Sequence, residues 1–182
     1  IPLIEYRIGT CGSPSHLAEL RASYPEFVDA ELPLGHNALE SDRPDQEEAL
    51  RRFRSARAAF PESPVITASI GEVHREREEW NEALEAYDAT VALVPTHRDA
   101  LMGRTIALSN LSRHDAAIAT ATRILELGNW FVGGAYFWRA WNHYNLRNNP
   151  AARVDADRTR TLMVNAGVFL LSGLIEWRFR HL

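Results

Sequence analysis

The 182-residue chain contains no lysine, so all twenty of its basic residues are arginines. Without an ε-amine it has neither the nucleophile of Schiff-base catalysis nor the lysine of a phosphate-binding P-loop. An all-arginine basic complement matches a GC-rich genome, from which we expect a bacterial source. Cysteine is almost as scarce: Cys11 stands alone, which rules out an internal disulfide and a cysteine-rich zinc site and leaves the compartment open. Long apolar runs are missing too, since Val168 to Leu171, followed by Leu174 and Ile175, is too short and interrupted to span a bilayer. The formal net charge of -4 gives no global attraction to nucleic acid or anionic lipid. The sequence opens Ile1-Pro2-Leu3-Ile4, with neither an initiator methionine nor a secretory n-region. We therefore expect a piece of a longer protein, with any targeting signal outside it.

What is present is ordinary for a folded domain, with 46% hydrophobic and 24% charged residues. The organising signal is a repeat. Ala49, Ala83, Ala117 and Ala151 follow one another at intervals of 34 residues, each near the start of a segment with helical apolar periodicity. Around the second of them stand Ile70-Gly71, His74, Trp80, Ala83-Leu84, Tyr87, Val91, Leu93 and Pro95. Two antiparallel helices approach closely only where a small side chain sits at the contact, and Gly71 and Ala83 fill those places. Pro95, like Pro61 one period earlier, stops its helix by removing a hydrogen-bond donor. Residue by residue this pattern resembles the tetratricopeptide repeat.

Reading outward predicts helices over 44–59, 64–78, 81–93, 98–111, 114–127, 131–146, 150–163 and 166–181. Ser41 and Asp42 before Pro44, and Asn149 before Pro150, read as caps, and Gly128-Asn129 as a stop. The repeats fall at about 30–63, 64–97, 98–131 and 132–165, with a half repeat from 166, since Gly173 lies 102 residues after Gly71. Residues 1–25 read as a linker or the tail of a preceding unit, with a short helix over Ser15 to Ser23. Pro33 predicts a break or kink between about 27 and 40. In the third repeat Arg104-Thr105 replaces the usual leucine-glycine pair and Asn129 the usual proline. In the fourth, Asp155 stands where a large aromatic belongs, so its second helix is expected to slip by one residue onto Ala152 and Ala156. The last helix carries Val168, Phe169, Leu170, Leu171, Leu174, Ile175, Trp177 and Phe179, each worth roughly 1.5–3 kcal/mol when buried. It is therefore expected to be covered by further chain or by another copy.

Other constellations have plainer explanations. His36 with Glu40, and His74 with Glu78, place two potential metal ligands one turn apart, but two ligands are not a site and neither pair belongs to HExxH. Cys11 with His16 lacks an orienting group and an oxyanion donor. Arg51, Arg52, Arg54 and Arg57 follow Asp45, Glu47 and Glu48 on one helix. This complements the macrodipole and allows the pairs Glu47 with Arg51 and Glu48 with Arg52. No metal or cofactor motif is expected. Most of the cluster Trp130, Phe131, Tyr136, Phe137, Trp138, Trp141 and Tyr144 is expected in the core, with Trp138 and Trp141 on one face.

The resemblance implies an all-α, right-handed superhelix of antiparallel helix pairs that acts as a non-enzymatic scaffold, binding a partner peptide or helix in a concave groove. Two alternatives remain: a regulatory or substrate-presenting arm of a larger enzyme, and self-assembly through residues 166–182. The groove would be lined by Val65, Ala68, Glu72 and Arg75, then Met102, Ile106, Ser109 and Asn110. It would continue through Tyr136, Ala140, His143 and Tyr144 to Leu170, Leu174 and Trp177. Met102, Asn110, Tyr136, His143, Tyr144 and Trp177 are the candidate partner-binding residues, because aromatic and methionine side chains give contact area and the polar ones fix a bound backbone. The carboxylate clamp of chaperone-binding members is absent, its places being taken by Ala68, Glu72, Gly103, Gly133 and Phe137. No nucleic-acid partner and no membrane insertion are expected.

Overall fold

The computed structural model describes residues 30–40, 42–128, 132–163 and 166–180, together with Ala22. The expectations for residues 1–25, Cys11 with His16 included, lie outside these residues except at Ala22, which is helical. Those for Ser41, Asn129, Trp130 and Phe131 also lie outside them. The described chain folds into helices α1 (Glu31–Glu40), α2 (Gln46–Ala59), α3 (Pro64–Glu76), α4 (Trp80–Leu93) and α5 (Arg98–Asn110). These are followed by α6 (His114–Leu127), α7 (Val132–Asn145), α8 (Asn149–Leu162) and α9 (Ala166–Arg180). Each helix packs on the next, and α3 also touches α5, α5 touches α7 and α7 touches α9. The odd-numbered helices therefore form a continuous inner layer, and the even-numbered ones an outer layer whose members stand apart. None of the described helices is long and apolar enough to cross a membrane.

Local chemistry sets the helix ends. The Asp45 carboxylate accepts from the Glu48 N–H at 3.0 Å, and Ser63 caps α3 with Pro64 in its first turn, where no donor is needed. The cap of α2 is thus Asp45 rather than Asp42, because Asp45 stands three residues before the Glu48 N–H, which has no intrahelical partner. Asn148, not Asn149, caps α8, accepting from the Ala151 N–H at 3.4 Å. Gly128 closes α6 with φ of 64°. Pro33 leaves α1 unbroken: it lies in the first turn, where its missing N–H has no intrahelical partner to lose.

The turns within the pairs α3–α4, α5–α6 and α7–α8 each use a left-handed residue, at Glu78, Ser112 and Arg147. The first interval is 34 residues and the second 35, because α7 has 14 residues where α5 has 13. The slip expected in the fourth repeat is therefore present. Ala83 and Ala117 are fully buried, and their successor is Ala152, with Ala156 behind it at 4% exposure.

Aromatic rings seated on glycines hold the first pairs together. Tyr87 of α4 lies between Gly71 of α3, where a Cβ would come within 2.9 Å of the ring, and Gly103 of α5, where it would overlap the ring. Phe53 occupies the same place over Gly35. The pattern changes further along, where Gly71 and Tyr87 become Thr105 and Ala121, then Arg139 and Ala156, so the bulk moves from the outer helix to the inner one. On α7 the fully buried residues are Ala135, Ala140 and Asn142, while Tyr136, Phe137, Trp138, Trp141 and Tyr144 are half-buried. The expectation of an aromatic core there is corrected: small residues make the helix contacts and the rings cover the seams.

Gly103→Ala should destabilise the fold by about 1–3 kcal/mol, because Tyr87 has no room to yield. Gly173→Ala, with no described atom within 4 Å, should stabilise it by about 0.5–1 kcal/mol through helix propensity. Thermal unfolding of the two variants, with the midpoint lowered in the first and raised in the second, checks both.

Candidate partner-binding site

Val65, Ala68, Glu72 and Arg75 recur at helical spacing and share the inner face of α3. Across from them stand Met102 and Ile106 of α5, and beside them His36 and Leu39 of α1. Together these residues line a groove of about 600 Å³, to which Ser69, Tyr87, His97, Asp99 and Gly103 also contribute. Much of its wall is apolar, with Val65 51% exposed.

A prearranged polar cluster lies in that wall. Arg75 Nε donates to Glu72 Oε2 at 3.0 Å, Arg75 Nη2 donates to Glu72 Oε1, and the Tyr87 hydroxyl donates to Oε2 at 2.9 Å. The Arg75 guanidinium, helped by the Tyr87 hydroxyl, holds the Glu72 carboxyl below its usual range. Burial, with the Glu72 charge adding to it, pushes the Tyr87 phenol upward. At the α1 edge the Ser69 hydroxyl donates to the Val65 carbonyl at 3.0 Å and also lies within hydrogen-bond distance of His36 Nε2, at 3.1 Å. At the other edge His97 caps α5 through Nδ1, 3.3 Å from the Ala100 N–H, which leaves its proton on Nε2.

No family model matches the sequence, and no curated protein is similar to it at a significant level. Solved structures are. YrrB, described as a TPR protein with an unusual peptide-binding site, superposes with a TM-score of 0.76 at 15% identity, over 92% of this chain and 86% of its own. MamA from residue 41 to its end, from Desulfovibrio magneticus, gives 0.74 at 13% identity, over 84% and 85%. A tetratricopeptide repeat protein from Parabacteroides merdae gives 0.63 at 13% identity, over 90% and 63%. The chain has the tetratricopeptide-repeat fold.

Within this tetratricopeptide-repeat fold the candidate residues separate. Met102 lines the groove and reaches towards α7, where a Cβ on Gly134 would lie 3.2 Å from its methyl carbon. Asn110 is exposed at the end of α5 and donates to the Ile106 carbonyl at 2.9 Å. Tyr136 lies half-buried with the Arg139 guanidinium 5.4 Å from its ring centre. Tyr144 is stacked on Trp141 at 6.2 Å, and the Arg178 guanidinium lies 3.6 Å from its ring centre. Trp177 is 61% exposed on α9. None of these last four, nor His143, lines the groove beside Met102.

Two other expected lining residues are corrected. Ser109 is buried, accepting from Asn142 Nδ2 at 2.7 Å and donating to the Thr105 carbonyl, so it serves the seam between α5 and α7. Ala140 is fully buried in a cluster with Ala152, Leu171 and Ile175. His36, Leu39, Tyr87, His97 and Asp99 were not legible as groove residues. The first repeat lacks the family spacing, Tyr87 belongs to the outer layer, and His97 precedes its helix.

Asp155 explains the missing aromatic of the fourth repeat. It is 3% exposed, and Arg139 grips it through Nε and Nη2, both at 2.7 Å, while Arg139 Nη1 donates to Thr122 at 3.2 Å. The histidines weighed as ligands are engaged elsewhere, His74 with Glu79 at 2.5 Å and His36 with Ser69. Among the described residues no three His, Cys, Asp or Glu side chains converge as a metal site.

His143 gives the fold a pH dependence. Its Nδ1 is buried without a hydrogen-bond partner, and burial lowers its pKa, with Asp155 opposing and Arg139 reinforcing. The unfolded chain then takes up the proton first, so stability is lost as pH falls below about 6.5. Glu72 has a lowered pKa as well, so its contribution is lost at lower pH, below its unperturbed value of 4.5. A thermal-midpoint titration should show His143→Gln flattening the upper step and leaving the lower one in place.

Proposed function

We propose that the chain is a binding module whose inner face holds a segment of another protein, anchored in the groove between α1, α3 and α5. The observation that carries this is the juxtaposition of apolar side chains on the groove wall, exposed Val65 and half-buried Met102 and Ile106, with a polar cluster whose geometry is already set by Tyr87. Groups fixed before binding lose little entropy on complex formation, so a modest groove can hold a segment with useful affinity. The comparison with YrrB, described as having a peptide-binding site, supports the same reading. Asn110, Tyr136, His143, Tyr144 and Trp177 form a second stretch of that face, extending the track of a bound segment beyond Met102. Within it Tyr136, His143 and Tyr144 are half-buried, and Trp177 is 61% exposed.

A peptide array probed with the wild-type chain and with Val65→Asp/Met102→Arg tests the anchor. The double variant should lose at least ten-fold in affinity for every selected peptide, while Tyr136→Ala/Tyr144→Ala should lose less. Equal binding by wild type and Val65→Asp/Met102→Arg would remove the groove from consideration.

A second reading, self-association, is favoured by α9. Phe169, Leu170 and Trp177 are 57%, 66% and 61% exposed, and Phe169 and Trp177 stand four residues to either side of Gly173. An antiparallel pairing of two α9 helices about Gly173 would set each Phe169 against the other copy's Trp177. Sedimentation velocity should then show a concentration-dependent dimer that Phe169→Glu abolishes. A concentration-independent monomer would discard this reading.

A further inference from the structure

The arginine run on α2 divides into two pairs with different fates. Glu48 holds Arg51 and Arg52, at 2.6 and 2.7 Å, and Glu31 lies 3.2 Å from Arg52. Glu47, expected to pair with Arg51, instead reaches Arg77 at 2.5 Å. Arg54 and Arg57 are exposed, and among the described residues neither forms an ion pair. Three positions apart, they project from one face of α2. That face borders a second depression, of about 610 Å³, in the outer layer between α2 and α4. Ala58 and Pro61 line one side of it, Ala89 and Leu93 the other, and buried Thr67 closes the floor. Leu93 is 44% exposed, so the trough presents apolar surface beside two unpaired cations.

We propose that this trough is a binding site, separate from the inner groove, for a short acidic amphipathic helix of a partner protein. The charge is complementary: two guanidinium groups that form no ion pair among the described residues can each donate to a carboxylate in forked geometry. The spacing also fits. Arg54 and Arg57 are separated by about 4.5 Å along the helix axis, and carboxylates one turn apart on a ligand helix by about 6 Å. Apolar side chains on the neighbouring stripe of that helix then cover Ala89 and Leu93. A helix suits the site better than an extended segment, because the alanine, proline and leucine walls offer no partners to unpaired backbone groups. A polyanion suits it less. The chain carries a formal charge of -4, Glu62 follows Pro61, and Glu85 stands one turn before Ala89 on α4, so phosphates beyond the two arginines would meet carboxylates.

The test uses fluorescein-labelled helical peptides of about 16 residues, ~24 Å long. They carry a leucine stripe and, at two positions one turn apart beside it, either glutamates or glutamines. By fluorescence anisotropy the glutamate peptide should bind the whole chain saturably. The glutamine peptide should bind about ten-fold more weakly, with added salt removing the difference. Arg54→Gln/Arg57→Gln should bind both peptides equally weakly while its circular dichroism and melting stay unchanged. Leu93→Glu should weaken both peptides, and Val65→Asp/Met102→Arg neither, which separates this site from the inner groove. The proposal is overturned by equal binding of the two peptides, by undiminished binding in the folded double arginine variant, or by no saturable binding to wild type. Tighter, arginine-dependent binding of polyuridylate RNA or phosphatidylserine vesicles would overturn it as well.

Discussion

The ring of Tyr87 is the constraint on which the groove depends. It sits where Gly71 and Gly103 leave no side chain, so one aromatic from the outer layer wedges between two inner helices and fixes their separation. That separation is the floor of the groove. Its hydroxyl then reaches Glu72, which Arg75 also grips, so the packing contact and the polar cluster facing a ligand are parts of one arrangement. A buried ring with two glycine neighbours cannot rotate or withdraw without opening both helix interfaces. Phe53 over Gly35 repeats the device in the first pair.

The later repeats keep the helix spacing by other means. Bulk leaves the outer helix, where Ala121 and Ala156 stand, and appears on the inner one as Thr105 and then Arg139. A guanidinium in that place needs a partner, which Asp155 supplies at 3% exposure. Ion pairs bridge the helices elsewhere as well, Arg104 with Asp88 at 2.5 Å and Arg77 with Glu47. Arg54 and Arg57 differ from these: among the described residues neither forms an ion pair, and both border the apolar trough between α2 and α4.

Much of the solenoid was legible in the residues. Small side chains at intervals of 34 mark helix contacts because only they allow two backbones to approach, and Pro61 and Pro95 mark ends because they lack a donor. The one-residue slip was legible at Asp155, where a carboxylate stood in an aromatic's place. The candidate site was less so. Transferring groove positions from repeat to repeat presumes equal helices and open neighbours. Ser109 and Ala140 fit the spacing yet are buried, because Asn142 of α7 reaches Ser109 and Leu171 and Ile175 of α9 pack around Ala140. The caps of α2 and α8 lay within a few residues of their expected places. A cap is decided by which side chain reaches a free N–H, not by composition nearby.

The amino-acid sequence by itself determined the class of fold, the length and order of the helices from α2 onward, and the absence of lysine chemistry and of a disulfide within the chain. These follow from local periodicity and residue type, which act within one or two turns. Only the tertiary structure decided which arginines are paired, which aromatics cover seams rather than fill a core, and where the inner face opens into a groove. Those depend on what the neighbouring helix brings to each contact, as with Glu48 taking both arginines expected to be shared with Glu47. A repeat sets where side chains recur; the partner across the interface sets whether each one is buried, bonded or left to meet a ligand.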